Sequence, residues 1–114
     1  MTAERTAIVT GAGKRVGAAL ARALLDGGWT VVAHVHSAED EVPAGAARVV
    51  ADLSAVDSAD KIFAAAAGLP PVRLLVNNAA RFAWDGFGGF DPHEFAAHMT
   101  VNVQAPALLI DRLA

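Results

Sequence analysis

A chain of 114 residues with a formal net charge of −3 is long enough for one domain and has no basic cluster with which to bind nucleic acid. The absence of cysteine excludes a disulfide framework and thiolate chemistry. No signal-peptide pattern is visible, and the longest stretch without Asp, Glu, Lys or Arg, residues 95–110, is too short and polar to span a bilayer. We therefore expect a soluble, cytoplasmic protein that does not interact with membranes.

The first half of the chain alternates between strand and helix patterns. Residues 6–10 are continuously apolar, as in a parallel strand that is covered on both faces, and residues 16–25 have helical apolar spacing. Residues 29–36 and 47–51 are predicted strands, separated by a polar loop over residues 37–46. The first helix is expected to bury a face made of Val16, Leu20, Ala23 and Leu24.

The second half continues the alternation. A Ser-Ala-Val-Asp sequence at residues 54–57 resembles a capping box and predicts a helix through Ala67. Residues 72–76 form a fourth predicted strand, and Asp-Pro-His-Glu at 91–94 begins a helix that runs to the end with a kink or break at Pro106. The whole pattern predicts one α/β domain with a parallel sheet.

A glycine-rich turn joins the first strand to the first helix and reads Thr10-Gly11-Ala12-Gly13-Lys14-Arg15-Val16-Gly17. Such a turn lets the backbone approach a pyrophosphate, and the helix start offers unpaired N–H groups. Its spacing differs from Gly-x-Gly-x-x-Gly, and considered alone it could be an ordinary glycine turn. It resembles the Thr-Gly-x-x-x-Gly-x-Gly turn of the short-chain dehydrogenase/reductase family, with Arg15 at the middle glycine, as in the pteridine-reductase branch.

Four further features follow in the order of that family: the polar end of the second strand, Asp52-Leu53, the segment 77–80, and Val101-Asn102-Val103. The resemblance covers nearly the whole chain. It implies the N-terminal portion of a Rossmann-type doubly wound parallel sheet, with four strands in the order 3-2-1-4. The resemblance and the recognition of a 2′-phosphate assign thirteen residues to cofactor binding: Gly11, Gly13, Lys14, Arg15, Val16, Gly17, His36, Ser37, Asp52, Leu53, Asn78, Ala79 and Ala80.

The end of the second strand bears on the choice of dinucleotide. NAD-binding proteins of this kind place an acidic side chain there, about twenty residues after the glycines, whereas this chain has His-Val-His-Ser at 34–37. A 2′-phosphate could instead meet Arg15, helped by Lys14, because the guanidinium fork can bond two oxygens. The acidic run at 39–41 either repels a phosphate or is a solvated loop. We expect NADP(H).

Two further roles follow from the resemblance. Asn102 matches the asparagine that helps to hold a water linking the family's catalytic lysine to solvent. Phe82 matches a phenylalanine that stacks on the flat substrate in pteridine reductases, with packing of a core or lid as the alternative. No metal site is predicted, because the histidines are accompanied neither by cysteine nor by clustered carboxylates, and they are expected at the surface or the cofactor edge.

The chain contains no tyrosine, although the family's chemistry uses a serine and a Tyr-x-x-x-Lys element downstream of the last helix. The fourth strand would also keep an unpaired edge. We therefore expect residues 1–114 to be an incomplete domain, inactive alone, of a homo-oligomeric NADPH-dependent reductase. Its small-molecule substrate would carry a carbonyl or a pteridine-like C=N group. The alternative is a non-catalytic nucleotide-binding or interaction module.

Overall fold

A four-stranded parallel sheet lies at the centre of the computed structural model, which describes residues 4–81 and 91–114. Neighbouring strands pair in the order β3-β2-β1-β4, and every pair is parallel. The predicted α/β class and strand order are therefore confirmed. The strands are β1 (Thr6–Val9), β2 (Thr30–Val35), β3 (Ala47–Val50) and β4 (Val72–Val76).

Helices cover both faces of the sheet. They are α1 (Arg15–Asp26), α2 (Ser58–Ala65), α3 (Pro92–Met99) and α4 (Ala105–Leu113), with a π-helical turn (Thr100–Gln104) between the last two. Successive side chains of a strand point to opposite faces. Ile8 and Val32 accordingly pack with α2 and α4, whereas Val9 and Val31 pack against α1. This burial on both faces explains why the strands are continuously apolar.

The buried face of α1 differs from the predicted one. Val16 and Leu20 are 63% and 37% exposed, and Ala23 is also exposed, whereas Leu24 packs against the core as expected. Gly17 lies so close to the turn that a Cβ there would stand 2.1 Å from the carbonyl oxygen of Gly11. This close approach points Gly17 and Ala21 at the sheet. The larger side chains are consequently rotated outward.

The predicted capping box before α2 is wrong. The Ser54 N–H and hydroxyl both donate to Oδ1 of Asp52, at 2.9 and 2.6 Å, so that serine does not cap the helix. The helix instead begins at Ser58, after an Asp57 that makes no side-chain capping bond. A short polar side chain readily bonds to groups near it in the sequence, and the carboxylate at the end of β3 competes successfully for the serine.

The predicted break in the last helix lies before Pro106 and not at it. Asp91 caps α3 as expected by accepting the N–H of His93 at 2.9 Å. A π-helical turn, Thr100–Gln104, then joins α3 to α4, where Pro106 occupies the first turn. Proline has no N–H to give to the carbonyl of Asn102, and its ring would clash there in a regular helix. The wider turn avoids this clash.

Candidate functional site

The carboxyl ends of the strands open into one cleft with a volume of about 1030 Å³. In open parallel sheets, ligands bind beyond these strand ends, where the chain leaves neighbouring strands toward opposite faces. Gly17 is buried beneath the glycine turn, whereas Ser37 and Asn102 lie outside the cleft lining. The predicted cofactor residues that line the cleft are Gly11, Gly13, Lys14, Arg15, Val16, His36, Asp52, Leu53, Asn78, Ala79 and Ala80.

Thr10 joins the glycine turn to the segment after β4. Its hydroxyl oxygen accepts the N–H groups of Asn78 and Ala79 at 3.0 and 2.9 Å, and the residue is 1% exposed. The Asn78 amide completes the link by donating to the Gly11 carbonyl at 3.2 Å. Thr10 was not among the predicted site residues, although a hydroxyl at the end of a buried strand, directly before a glycine turn, could have indicated this role.

The glycines of the turn are required by close approach. Gly11 has φ of +63°, and a Cβ there would lie 3.0 Å from the Cα of Ala79. A Cβ at Gly13 would lie 3.2 Å from the carbonyl oxygen of Glu41. Backbone therefore packs on backbone at this end of the sheet, and the cleft wall beside the turn is free of side chains at these two positions.

His34 is a buried bridge, which corrects its expected place at the surface or cofactor edge. Its Nδ1 accepts the Gly11 N–H at 3.1 Å, and its Nε2 lies 2.8 Å from the Ala51 carbonyl oxygen. The side chain is 2% exposed. Burial lowers the pKa of His34, opposed by the hydrogen bond to Ala51 and assisted by nearby His36. The neutral ring with Nε2 protonated satisfies both contacts.

Arg15 adopts a left-handed backbone conformation, with φ of +50°. This is the position at which the resembling family has its middle glycine. For a residue with a Cβ the conformation costs roughly 1–2 kcal/mol. The side chain is exposed at the edge of the cleft. The fold thus keeps a cationic side chain where glycine would be less strained.

The loop after β2 is organised by its acidic residues. The Ser37 hydroxyl donates to the carboxylate of Glu39, and this bond lowers the pKa of the Glu39 carboxyl. The Ser37 N–H donates to Oδ2 of Asp40 at 3.2 Å, and Arg48 donates to the Asp40 carbonyl at 2.9 Å. Asp40 lines the cleft. The hydroxyl and the N–H of Ser37 are therefore both bound to neighbouring carboxylates, while Glu39 and Glu41 remain exposed to solvent.

Asp52 and Leu53 form the opposite rim of the cleft, directly after β3. The hydrogen bonds from Ser54 lower the pKa of the Asp52 carboxyl, which keeps it ionised at neutral pH. Leu53 is only 7% exposed and belongs to the core beneath α2. The pair therefore presents a charge above an apolar floor.

Asn102 holds the segment after β4 from the side of the π-helical turn. Its Oδ1 accepts the Arg81 N–H at 2.7 Å, and its Nδ2 donates to the Arg81 carbonyl at 2.9 Å. Arg81 in turn donates through Nε and Nη2 to the two carboxylate oxygens of Glu94, both at 3.0 Å. Asn102 thus positions the backbone that follows Ala80. Phe82, the predicted substrate residue, lies outside the described residues.

The described residues also bear on two other classes of site, metal centres and membrane spans. Within residues 4–81 and 91–114, no group of three or more His, Cys, Asp or Glu side chains is arranged to hold a metal ion. In the same part of the chain, none of the helices has the length and apolar character needed to cross a membrane.

A family model and several solved structures agree on the family to which the chain is similar. The short chain dehydrogenase family model matches residues 5–114. Among solved structures, FolM alternative dihydrofolate reductase 1 from Brucella canis, complexed with NADP, is 31% identical with a TM-score of 0.88, covering 99% of this chain and 49% of that one. A blue fluorescent protein from a metagenomic library, in complex with NADPH, is 28% identical with a TM-score of 0.83, covering 94% and 49%.

A third similar structure is a 3-ketoacyl-(acyl-carrier-protein) reductase from Brucella melitensis complexed with NADH. It is 29% identical with a TM-score of 0.86, and the match covers 96% of this chain and 48% of that one. The chain therefore spans about half the length of these three structures. No curated protein matches the sequence.

Proposed function

The chain belongs to the short-chain dehydrogenase family, and on that premise we propose that it forms the dinucleotide-binding part of an NADPH-dependent oxidoreductase. The observation that carries the proposal is the cleft at the carboxyl ends of the strands, with Arg15 at its edge and no acidic side chain at the end of β2. The structures in complex with NADP and NADPH support the choice of dinucleotide.

The turn fits a pyrophosphate for a reason that is independent of the comparisons. Lys14 occupies the N-cap of α1 in an extended conformation and makes no side-chain capping bond. The first N–H groups of the helix are therefore not capped by that side chain, and they lie at the positive end of the helix dipole. Because Gly11 and Gly13 place no side chains in the way, the phosphates can reach these donors.

The rims of the cleft suit the two ends of the nucleotide. In the proposed mode, Asp52 and Leu53 flank the adenine, while Ala79 and Ala80 leave room for the nicotinamide ribose beside Asn78. Arg15 and Lys14 provide positive charge for a 2′-phosphate, and His36 offers a further ring nitrogen. Ser37 joins them only if its hydroxyl leaves the Glu39 carboxylate.

The bound dinucleotide would supply the hydride, and the residues described here would orient it. We propose that the acceptor is a carbonyl or a pteridine-like C=N group. The similarity to the FolM alternative dihydrofolate reductase supports the second possibility. The 114 residues contain no tyrosine, so they do not provide the proton donor that the family resemblance implies. Residues 1–114 are accordingly proposed to be an incomplete domain that binds nucleotide without turnover when isolated, within a cytoplasmic protein.

The proposal is tested by replacing Arg15 with alanine in the full-length protein. Loss of a charge-assisted phosphate contact should raise the dissociation constant for NADPH roughly 10- to 100-fold and leave that for NADH nearly unchanged. Fluorescence titration of both nucleotides measures the difference. Arg22→Ala, which removes an exposed arginine from the same helix, is the matched control. An equal loss for NADPH and NADH in Arg15→Ala would contradict recognition of the 2′-phosphate.

A further inference from the structure

Among residues 4–81 and 91–114, the proposed function assigns no role to the buried titratable side chain of His34. His34 contacts the glycine turn twice: its ring accepts the N–H of Gly11, and its own carbonyl accepts the N–H of Ala12 at 2.8 Å. The opposite side of the ring reaches the carbonyl of Ala51 at 2.8 Å, one residue before Asp52. One side chain thus joins the phosphate-binding turn to the adenine-side rim of the cleft.

We propose that His34 is a positioning residue for the dinucleotide, and that its neutral ring holds the glycine turn in the binding conformation while its protonation releases the turn and weakens nucleotide binding. The inference rests on the proposed function. Its physical basis is the direction of the two hydrogen bonds, because the Gly11 N–H can only donate and the Ala51 carbonyl can only accept.

Protonation would disrupt this arrangement on one side only. A protonated ring carries N–H groups on both nitrogens, so the bond to Ala51 survives. At Nδ1, however, an N–H would face the Gly11 N–H, and two donors repel each other. The turn would have to move away from the ring, carrying with it the N–H groups that are proposed to hold the pyrophosphate.

The surroundings of the ring favour the neutral form. His34 lies on the same face of β2 as Val32, which packs in the core formed with α2 and α4. Desolvation in this position is the main cause that lowers the pKa of His34. On the packed helices, the charged residues are exposed, so that no buried carboxylate compensates a charged ring: Asp57, Asp60, Lys61, Asp111 and Arg112.

Other charged groups that line the cleft could also contribute to the pH dependence of nucleotide binding. They are Lys14 and Arg15 on the turn, His36 directly after β2, Asp40 in the loop that follows, Asp52 after β3 and Arg81 after β4. Asp52 has a lowered pKa and stays ionised through the pH range in which histidine titrates. His36 is a second histidine on the cleft lining, and a 2′-phosphate gains a proton near pH 6, as phosphate monoesters do. Variants must separate these contributions.

The experiment measures NADP⁺ binding by calorimetry between pH 8 and pH 5 in the full-length protein, while ¹⁵N NMR of the imidazole follows the protonation of His34. The dissociation constant of the native protein should rise up to about tenfold for each pH unit below the pKa observed for His34. His34→Gln should lack this component. His36→Gln should retain it, whatever its affinity at pH 8, and His93→Gln should behave as the native protein because His93 is exposed on α3.

A second readout does not require a folded variant. In the native protein at pH 7.5, Nδ1 of His34 should be unprotonated and Nε2 protonated, and the Gly11 amide should exchange slowly with solvent. That protection should be lost as the ring gains its proton. The inference is overturned by the opposite tautomer, by a ring that stays neutral until the protein unfolds, or by an affinity that does not fall as the ring is protonated.

These results are distinguishable from failure of the proposed function. A protein that does not bind NADP⁺ at pH 8, yet shows the predicted tautomer and protected Gly11 amide, would contradict nucleotide binding and leave the bridge intact. A protein that binds NADP⁺ with the same pH dependence in native and His34→Gln forms would support nucleotide binding and overturn the role of His34.

Discussion

Thr10 and His34 hold the glycine turn from two sides. The hydroxyl of Thr10 ties the turn to the segment after β4, and the ring of His34 ties it to the end of β3. Both side chains bind backbone groups that are distant in the sequence, at residues 78 and 79 for Thr10 and at residues 11 and 51 for His34. Both act on backbone N–H groups, which is why their removal should leave buried donors without partners.

Replacement of Thr10 by valine tests the contribution of its hydroxyl to stability. Valine keeps the shape but leaves the N–H groups of Asn78 and Ala79 without their acceptor, so the free energy of unfolding should fall by about 1–3 kcal/mol. Urea denaturation measures the loss. Thr10→Ser is the matched control, since it retains the hydroxyl and should remain closer to the native protein. Equal stability of Thr10→Val and the native protein would contradict the role of the hydroxyl.

The strands and helices could be predicted from the sequence more easily than the contacts between them. The strands were predictable because parallel strands that are buried on both faces are continuously apolar, and their order followed from the family resemblance. The buried face of α1 was not predictable from the spacing of its apolar residues, because the close packing of Gly17 against Gly11 is a tertiary contact that determines how the helix is rotated. The false capping box has a similar cause: Asp52, just outside the expected helix, binds Ser54 first. The bridge of His34 joins residues 17 and 23 positions away, beyond any local pattern.

The packing of α1 against the glycine turn is tested by adding a side chain at Gly17. Gly17→Ala would place a Cβ 2.1 Å from the Gly11 carbonyl oxygen and 2.5 Å from Nδ2 of Asn78. Both are held in place, so the helix must shift, and we expect destabilisation of about 3 kcal/mol or more. Thermal and urea unfolding measure it.

Gly27→Ala is the control for the same helix. Its backbone φ is −82°, and a Cβ there would be no closer than 3.4 Å to its neighbours. Its free energy of unfolding should stay within about 1 kcal/mol of the native value. Similar free energies of unfolding for Gly17→Ala and Gly27→Ala would contradict the close approach as the reason for a glycine at position 17, because helix propensity alone favours alanine.

The surface formed by α3, the π-helical turn and α4 carries exposed apolar side chains. Their exposed fractions range from 37% to 56%, and the residues are Phe95, Met99, Val103, Ile110 and Leu113. Exposed apolar side chains on neighbouring helices are typical of interaction sites when they form one patch. We propose that the full-length protein is a homo-oligomer in which this helical surface meets a second subunit.

Charge placed on that surface tests the assembly. Val103→Glu combined with Ile110→Glu should shift the full-length protein toward monomers in sedimentation velocity experiments, because burying a carboxylate in an interface is costly. Val56→Glu supplies the control: that valine is 80% exposed and lies before α2, away from the surface in question. A double variant with an unchanged oligomeric state would show that these helices are not the interface.

Binding of NADP(H) in the cleft is tested by titration of the native full-length protein with NADPH and NADH at one ionic strength. We expect a dissociation constant for NADPH at least about tenfold below that for NADH, because Arg15 and Lys14 are proposed to bind the 2′-phosphate and β2 ends without an acidic side chain. Equal affinities, or tighter binding of NADH, would contradict it.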